Sequence, residues 1–105
     1  MSEIHKLWKQ HWDASFPDGL RDLEIDGVDL TLLDADIAGC ISTFVERGNL
    51  NLFQTAALGL CYKNAFSVSS RLNKEGSEYF SRLERLAELV LIEVARKNRP
   101  EHYKS

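Results

Sequence analysis

DADIAGCISTFVERGNLNLFQTAALGLCYKNAFSV, residues 34–68, consists of two apolar helical patterns separated by Arg47-Gly48-Asn49. Leu33, Ile37, Cys40, Ile41, Phe44 and Val45 recur at three- and four-residue steps, the spacing that gathers side chains on one face of an α-helix. Gly48 stands just past the last of them, where a helix end favours a left-handed backbone. Asn51, with Gln54 three residues on, carries the pattern of a capping box. The stretch therefore predicts an αα-hairpin with arms over about 32–47 and 52–73.

The second arm has two apolar rows. Leu58, Cys61, Ala65, Val68 and Leu72 make one, and Phe53, Ala56, Ala57 and Leu60 make the other. A face that wide suits a helix in the middle of a bundle, covered on both sides. Cys40 and Cys61 lie at similar distances from the turn, so the rise per residue puts them at similar heights on the two arms. They lack metal-type spacing and read as small buried hydrophobes kept as thiols.

Ahead of the hairpin, Ile4, Leu7, Trp8, Trp12 and Phe16 predict a helix over about 3–15, ended by Pro17-Asp18-Gly19. His5 and His11 are six apart and do not share one helical face, so they read as surface or half-buried residues rather than ligands. After it, Asn73 to Ser77 breaks the pattern, and Ser77 or a neighbour opens a last helix over about 77–98. Phe80, Leu83, Ala87, Val90, Leu91 and Val94 line its inner face, widened by Tyr79, Leu86 and Leu89. Outside, Glu78 with Arg82 and Glu93 with Lys97 stand in the favourable i, i+4 order. Arg96, Lys97 and Arg99 suit a helix C-terminus, and Pro100 stops it. The expectation is an all-α, single-domain bundle (1–105) of four main helices, with an irregular acidic connector over 17–31 that has room for a short helix near Leu20 to Leu23.

A chain of 105 residues can bury a core without disulfides or metal. No apolar run approaches the roughly 18 residues of a membrane span, and MSEIHKLWKQ lacks the apolar centre of a signal peptide. A cytoplasmic protein is expected.

Charge is unevenly placed. All seven aspartates fall between Asp13 and Asp36. Residues 17–50 hold eight acids against two bases, whereas 51–105 hold nine bases against six acids, although the net charge is only −3. Such asymmetry suits a charged partner. Thr31-x-x-Asp34 resembles a capping box with an acid in place of Glu or Gln, which would put Asp34 and Asp36 in a first helical turn, where the helix dipole favours them. Asp22-x-Glu24-x-Asp26-Gly27 copies the opening of a calcium loop, but the twelfth position is Leu33 instead of the bidentate glutamate.

The chain has no inward Glu-x-x-His pair, no Gly-rich phosphate loop, no nucleophile elbow and no Cys-x-x-Cys. No catalytic residue, metal or cofactor is assigned. Residues 53–72 fail as a helix-turn-helix, because Cys61 stands where a tight turn is wanted and Ser67 and Ser70 would sit in the core. With the negative net charge, this argues against nucleic-acid binding.

A surface remains. Asp18, Asp22, Glu24, Asp26, Asp29, Asp34 and Asp36 alternate with Leu23, Ile25, Val28 and Leu30. Carboxylates around apolar anchors suit a protein-binding patch. A solvated acidic loop whose apolar residues face the core satisfies the same spacing.

At DADIAGCISTFVERGNLN and YFSRLERLAELVL the chain resembles small all-helical bacterial immunity proteins, which stand beside polymorphic or contact-dependent growth-inhibition toxins. The resemblance covers about residues 31–94 and carries over no individual site residue. It implies a cytoplasmic inhibitor of a cognate toxin domain, often a ribonuclease. A nuclease is basic around its cleft, so an acidic 18–36 segment, aided by Tyr62 or Trp12, would cover it. No membrane or nucleic-acid partner is expected, and a monomer is. The competing class is a helical adaptor or oligomerising module that uses its wide apolar faces, or Trp8 and Trp12, for self-association.

Overall fold

Side chains that satisfy free backbone amides set where the helices begin. A computed structural model describes residues 2–99. The elements are α1 (Glu3–Asp13), β1 (Glu24–Ile25), β2 (Val28–Asp29), α2 (Leu30–Arg47), α3 (Leu52–Ser69) and α4 (Lys74–Lys97). Ser2, Asp29, Asn51 and Asn73 each stand in extended backbone just before a helix and accept an amide of its first turn. At α3 both halves of the capping box form, with Gln54 N to Asn51 Oδ1 at 2.7 Å and Asn51 N to Gln54 Oε1 at 2.9 Å. Gly48 closes α2 at φ 81°, left-handed as expected.

Several boundaries differ from the sequence expectation for local reasons. α2 begins at Leu30, not near 32, because Asp29 rather than Thr31 caps it. Asp34 and Asp36 therefore lie beyond the first turn, which holds no acid. Thr31 Oγ1 instead accepts the amide of Asp22 at 2.8 Å, helping to hold Asp22 at φ 63°. α3 stops at Ser69, short of 73, and α4 starts at Lys74 under the Asn73 cap, not at Ser77. Pro100, expected to stop the last helix, lies outside the described residues.

The acidic connector contains a small antiparallel hairpin about the turn signature Ile25-Asp26-Gly27-Val28, and Leu20 to Leu23 form a single hydrogen-bonded turn rather than a short helix, with Leu23 N donating to Leu20 O at 3.1 Å. Glu24 faces Asp29 and Ile25 faces Val28. The turn residues Asp26 and Gly27 both have positive φ, 52° and 81°, as the two-residue hairpin turn that matches strand twist requires. An Asp-Gly turn between two short apolar-containing segments is enough to form it. The strands are too short to show a period of two in the sequence.

α4 is the central helix and packs against α1, α2 and α3. Phe80, Leu83, Leu86, Ala87 and Val90 on it are fully buried, within an apolar cluster that Ile4, Ile37, Ile41 and Leu58 help to complete. The expected Glu78–Arg82 and Glu93–Lys97 pairs do not form. Arg82 lies 5.8 Å over the Tyr79 ring, and Lys97 Nζ donates to Gly48 O at 2.6 Å, bracing the end of α2. Exposed pairs hold little energy, so a carbonyl at a helix end competes well for Lys97.

α3 is the main departure. Its first row is inside, with Leu58, Cys61, Ala65 and Val68 buried, but Phe53 is 88% and Leu60 60% exposed, with Ala56 and Ala57 exposed between them. The central place goes to α4, so α3 is an outer helix with one face uncovered. No helix of the described residues is long and apolar enough to cross a membrane.

The observed cap gives a direct test. Asp29→Ala should lower stability to urea by about 1 kcal/mol, and Asp29→Asn by only a few tenths. An equal loss in both variants would place the cap elsewhere.

Candidate functional site

Two features of α2 separate the acids that the sequence groups together. Side chains four apart on a helix share a face, whereas those two apart diverge. Leu32 and Asp36 thus face α3 with Leu60, while Asp34 turns inward toward α1 and α4. The β-hairpin closes one end of the space between α2 and α3, held there by the ion pair of Asp26 with Arg71, just past α3. The result is a groove of about 250 Å³ lined by Gly27, Asp29, Leu32, Asp36, Leu60 and Asn64, among others.

The seven candidate acids have different positions. Asp36 is exposed in the groove, and Asp29 lines its rim while capping α2. Asp26 is exposed but paired with Arg71. Asp18, Asp22 and Glu24 are exposed, form no ion pair among the described residues and do not line the groove. Asp34 is half-buried against His11. The structure therefore brings Asp29 and Asp36 together with the hairpin turn, and leaves the other acids apart. Of the aromatic helpers, Trp12 is 75% exposed on α1, whereas Tyr62 packs against the core.

Asp36 also influences the two cysteines. Burial first, then the negative charge of Asp36, pushes the Cys40 thiol up. The same causes, joined by Cys40 itself, raise Cys61 from its ordinary 9.0 to about 11. Both thiols are free, and Cys40 Sγ donates to Gln54 O at 3.8 Å. A thiol raised in this way stays protonated and is a poor nucleophile.

Two larger grooves, about 450 and 520 Å³, flank the C-terminal half of α4. The first has no carboxylate in its lining, and the second has only Glu3 and Glu93, each paired with an arginine. They lack the free carboxylate beside apolar anchors found between α2 and α3.

The sequence reading missed a buried polar cluster. His11, 7% exposed, places Nε2 at 3.2 Å from Asp34 Oδ1 and 3.5 Å from the Tyr79 hydroxyl. The Asp34 contact is close without hydrogen-bond alignment, and His11 Nδ1 is buried with no hydrogen-bond partner among the described residues. The His11 ring stacks on Trp8 with centroids 5.9 Å apart and tilts against Tyr79 at 4.9 Å. Burial, followed by the charge of Asp34, drives the Tyr79 hydroxyl well above its ordinary range, against the opposing pull of Arg82 and Arg21. The signal was in the helix spacing, because Ile4, Trp8 and His11 form one stripe and leave Trp12 beside it. None of the three grooves has His11, Asp34 or Tyr79 in its lining, so the cluster ties α1 to α2 and α4 without facing a cavity.

Among the described residues no group of three or more His, Cys, Asp or Glu is placed to hold a metal ion. Comparison of the chain with protein-family models, with curated proteins and with solved structures finds no match.

The raised thiol gives a pH dependence with a defined sign. The folded state keeps the Cys61 proton where the unfolded chain releases it, so this stability is complete below pH 9.0 and is lost as pH rises through about 11. Urea midpoints should fall over that window, and Cys61→Ala should remove that part of the slope. A slope identical in the variant would exclude Cys61 as its source.

Proposed function

We propose that this protein is a non-enzymatic binding protein, an immunity protein whose groove between α2 and α3 docks the basic surface of a cognate toxin domain. The observation that carries this reading is Asp36, an exposed carboxylate without an ion-pair partner among the described residues, set in one groove with Leu32 and Leu60, each 60% exposed. Charge steers a partner of opposite sign and selects against others, while apolar side chains that become buried supply most of the affinity. A nuclease domain fits, because a cleft that holds phosphates presents cations. The resemblance of residues 34–51 and 79–91 to immunity proteins supports the same partner class.

The contact proposed is narrower than the whole 18–36 segment. Asp29, Asp34 and Asp26 have structural work as a cap, a partner of His11 and a brace to Arg71. Asp36 has none, and Asp18, Asp22 and Glu24 add long-range field without lining the groove. An enzymatic reading gains nothing from His11, since its ring is closed in by Trp8, Tyr79 and α2.

The test is capture of the neighbouring-gene product followed by growth rescue on co-expression. Asp36→Lys with Leu32→Ala should weaken binding by roughly a hundredfold, the product of a reversed charge and a lost anchor, and should abolish rescue with helicity unchanged. Undiminished affinity in this double variant would remove the groove as the docking site.

A further inference from the structure

We propose that the outward face of α3 is the contact surface for a second copy of this chain, packed antiparallel about a two-fold axis between Ala56 and Ala57. This inference does not depend on the identity of any toxin, but the face shares Leu60 with the groove.

α3 is 18 residues long with a single charged side chain, Lys63. Half of an apolar helix is satisfied by the core. The other half displays Phe53 and Leu60, with Leu52 and Phe66 on its flank at 89% and 64% exposure. A helix that is apolar all round is normally enclosed, so this face is missing a neighbour.

The order of residues identifies that neighbour. Phe53-x-x-Ala56-Ala57-x-x-Leu60 runs large, small, small, large from either end. Its three- and four-residue steps hold it on one strip over two turns, about 10.5 Å. Antiparallel pairing about its midpoint puts Phe53 of one copy against Leu60 of the other, twice, with alanines at the crossing where the axes approach most closely. Antiparallel helices also oppose their dipoles favourably.

Charge agrees with the same register. A centre between Ala56 and Ala57 sets Lys63 opposite Leu50 of the second copy, in the turn that follows α2. Glu46, in the last turn of α2, is at hand there, and Lys63 and Glu46 are both exposed without an ion pair among the described residues. Symmetry forms this pair twice. A basic partner would instead meet Lys63 as a like charge. Asp36 and Asn64 lie beyond Leu60, but Leu60 also lines the groove, so the dimer covers one of its two apolar anchors.

The contact is modest in size. A helix strip roughly 27 Å long and 10 Å wide falls below the roughly 800 Å² per partner of a standard interface. A weak dimer that dissociates on dilution is therefore the expected form.

Sedimentation velocity over a concentration series tests this. The wild-type protein should pass from monomer to dimer, and Ala57→Glu, at an exposed position that leaves the core intact, should raise the dissociation constant at least tenfold with unchanged circular dichroism. Lys63→Glu should weaken the dimer, and adding Glu46→Lys should restore it. A wild-type monomer at every concentration would overturn the inference and leave the face to an unlike partner; so would a dimer indifferent to Ala57→Glu.

Discussion

Burial of the wide apolar face of α4 is the constraint on which the rest of the structure depends. Phe80, Leu83, Leu86, Ala87 and Val90 are removed from water entirely, and each large side chain buried in this way contributes about 1.5–3 kcal/mol. One helix cannot cover a face of that width, so α1, α2 and α3 are all drawn onto α4. Their own apolar stripes are used to different extents. α2 has most of its inner stripe covered, whereas α3 packs on α2 and α4 with only one of its two stripes. Placing α4 at the centre is therefore what leaves Phe53 and Leu60 outside.

The same arrangement divides the acidic stretch. α2 enters the bundle by a hairpin whose turn requires left-handed backbone at Asp26 and Gly27, and whose second strand ends at the Asp29 cap. Aspartate serves that sequence of tasks well, because its short side chain tolerates left-handed conformations and accepts nearby amides. Much of the acid clustering is thus local backbone chemistry. What is left after that work is Asp36 in its groove, with Asp18, Asp22 and Glu24 as distant charge. The binding surface proposed above would therefore rest on few of these acids, the others serving the fold.

The His11 cluster serves the opposite purpose. A neutral core would have joined α1 to the bundle equally well, yet an imidazole, a carboxylate and a phenol meet where α1, α2 and α4 converge. Polar groups of this kind impose geometry, since each must find a partner or lose its hydration without return. Here His11 Nδ1 and Asp34 Oδ1 lack a hydrogen-bond partner among the described residues, so the meeting point of the three helices is only partly satisfied.

The sequence by itself determined the four helices, the αα-hairpin with its Gly48 and Asn51 ends, and most of the α4 core, because helix periodicity and capping are local and repeat every few residues. Tertiary structure decided the rest. Asp29 replaced Thr31 as the cap once the hairpin brought the Asp22 amide to the threonine. His11 was buried and Trp12 left out by the line along which α1 meets α4. Asp34 and Asp36, alike in sequence, were sent to opposite sides by the helix that holds them. Whether the second row of α3 was core or surface could not be read from its own composition, because an apolar row has the same pattern whether or not a neighbouring helix covers it.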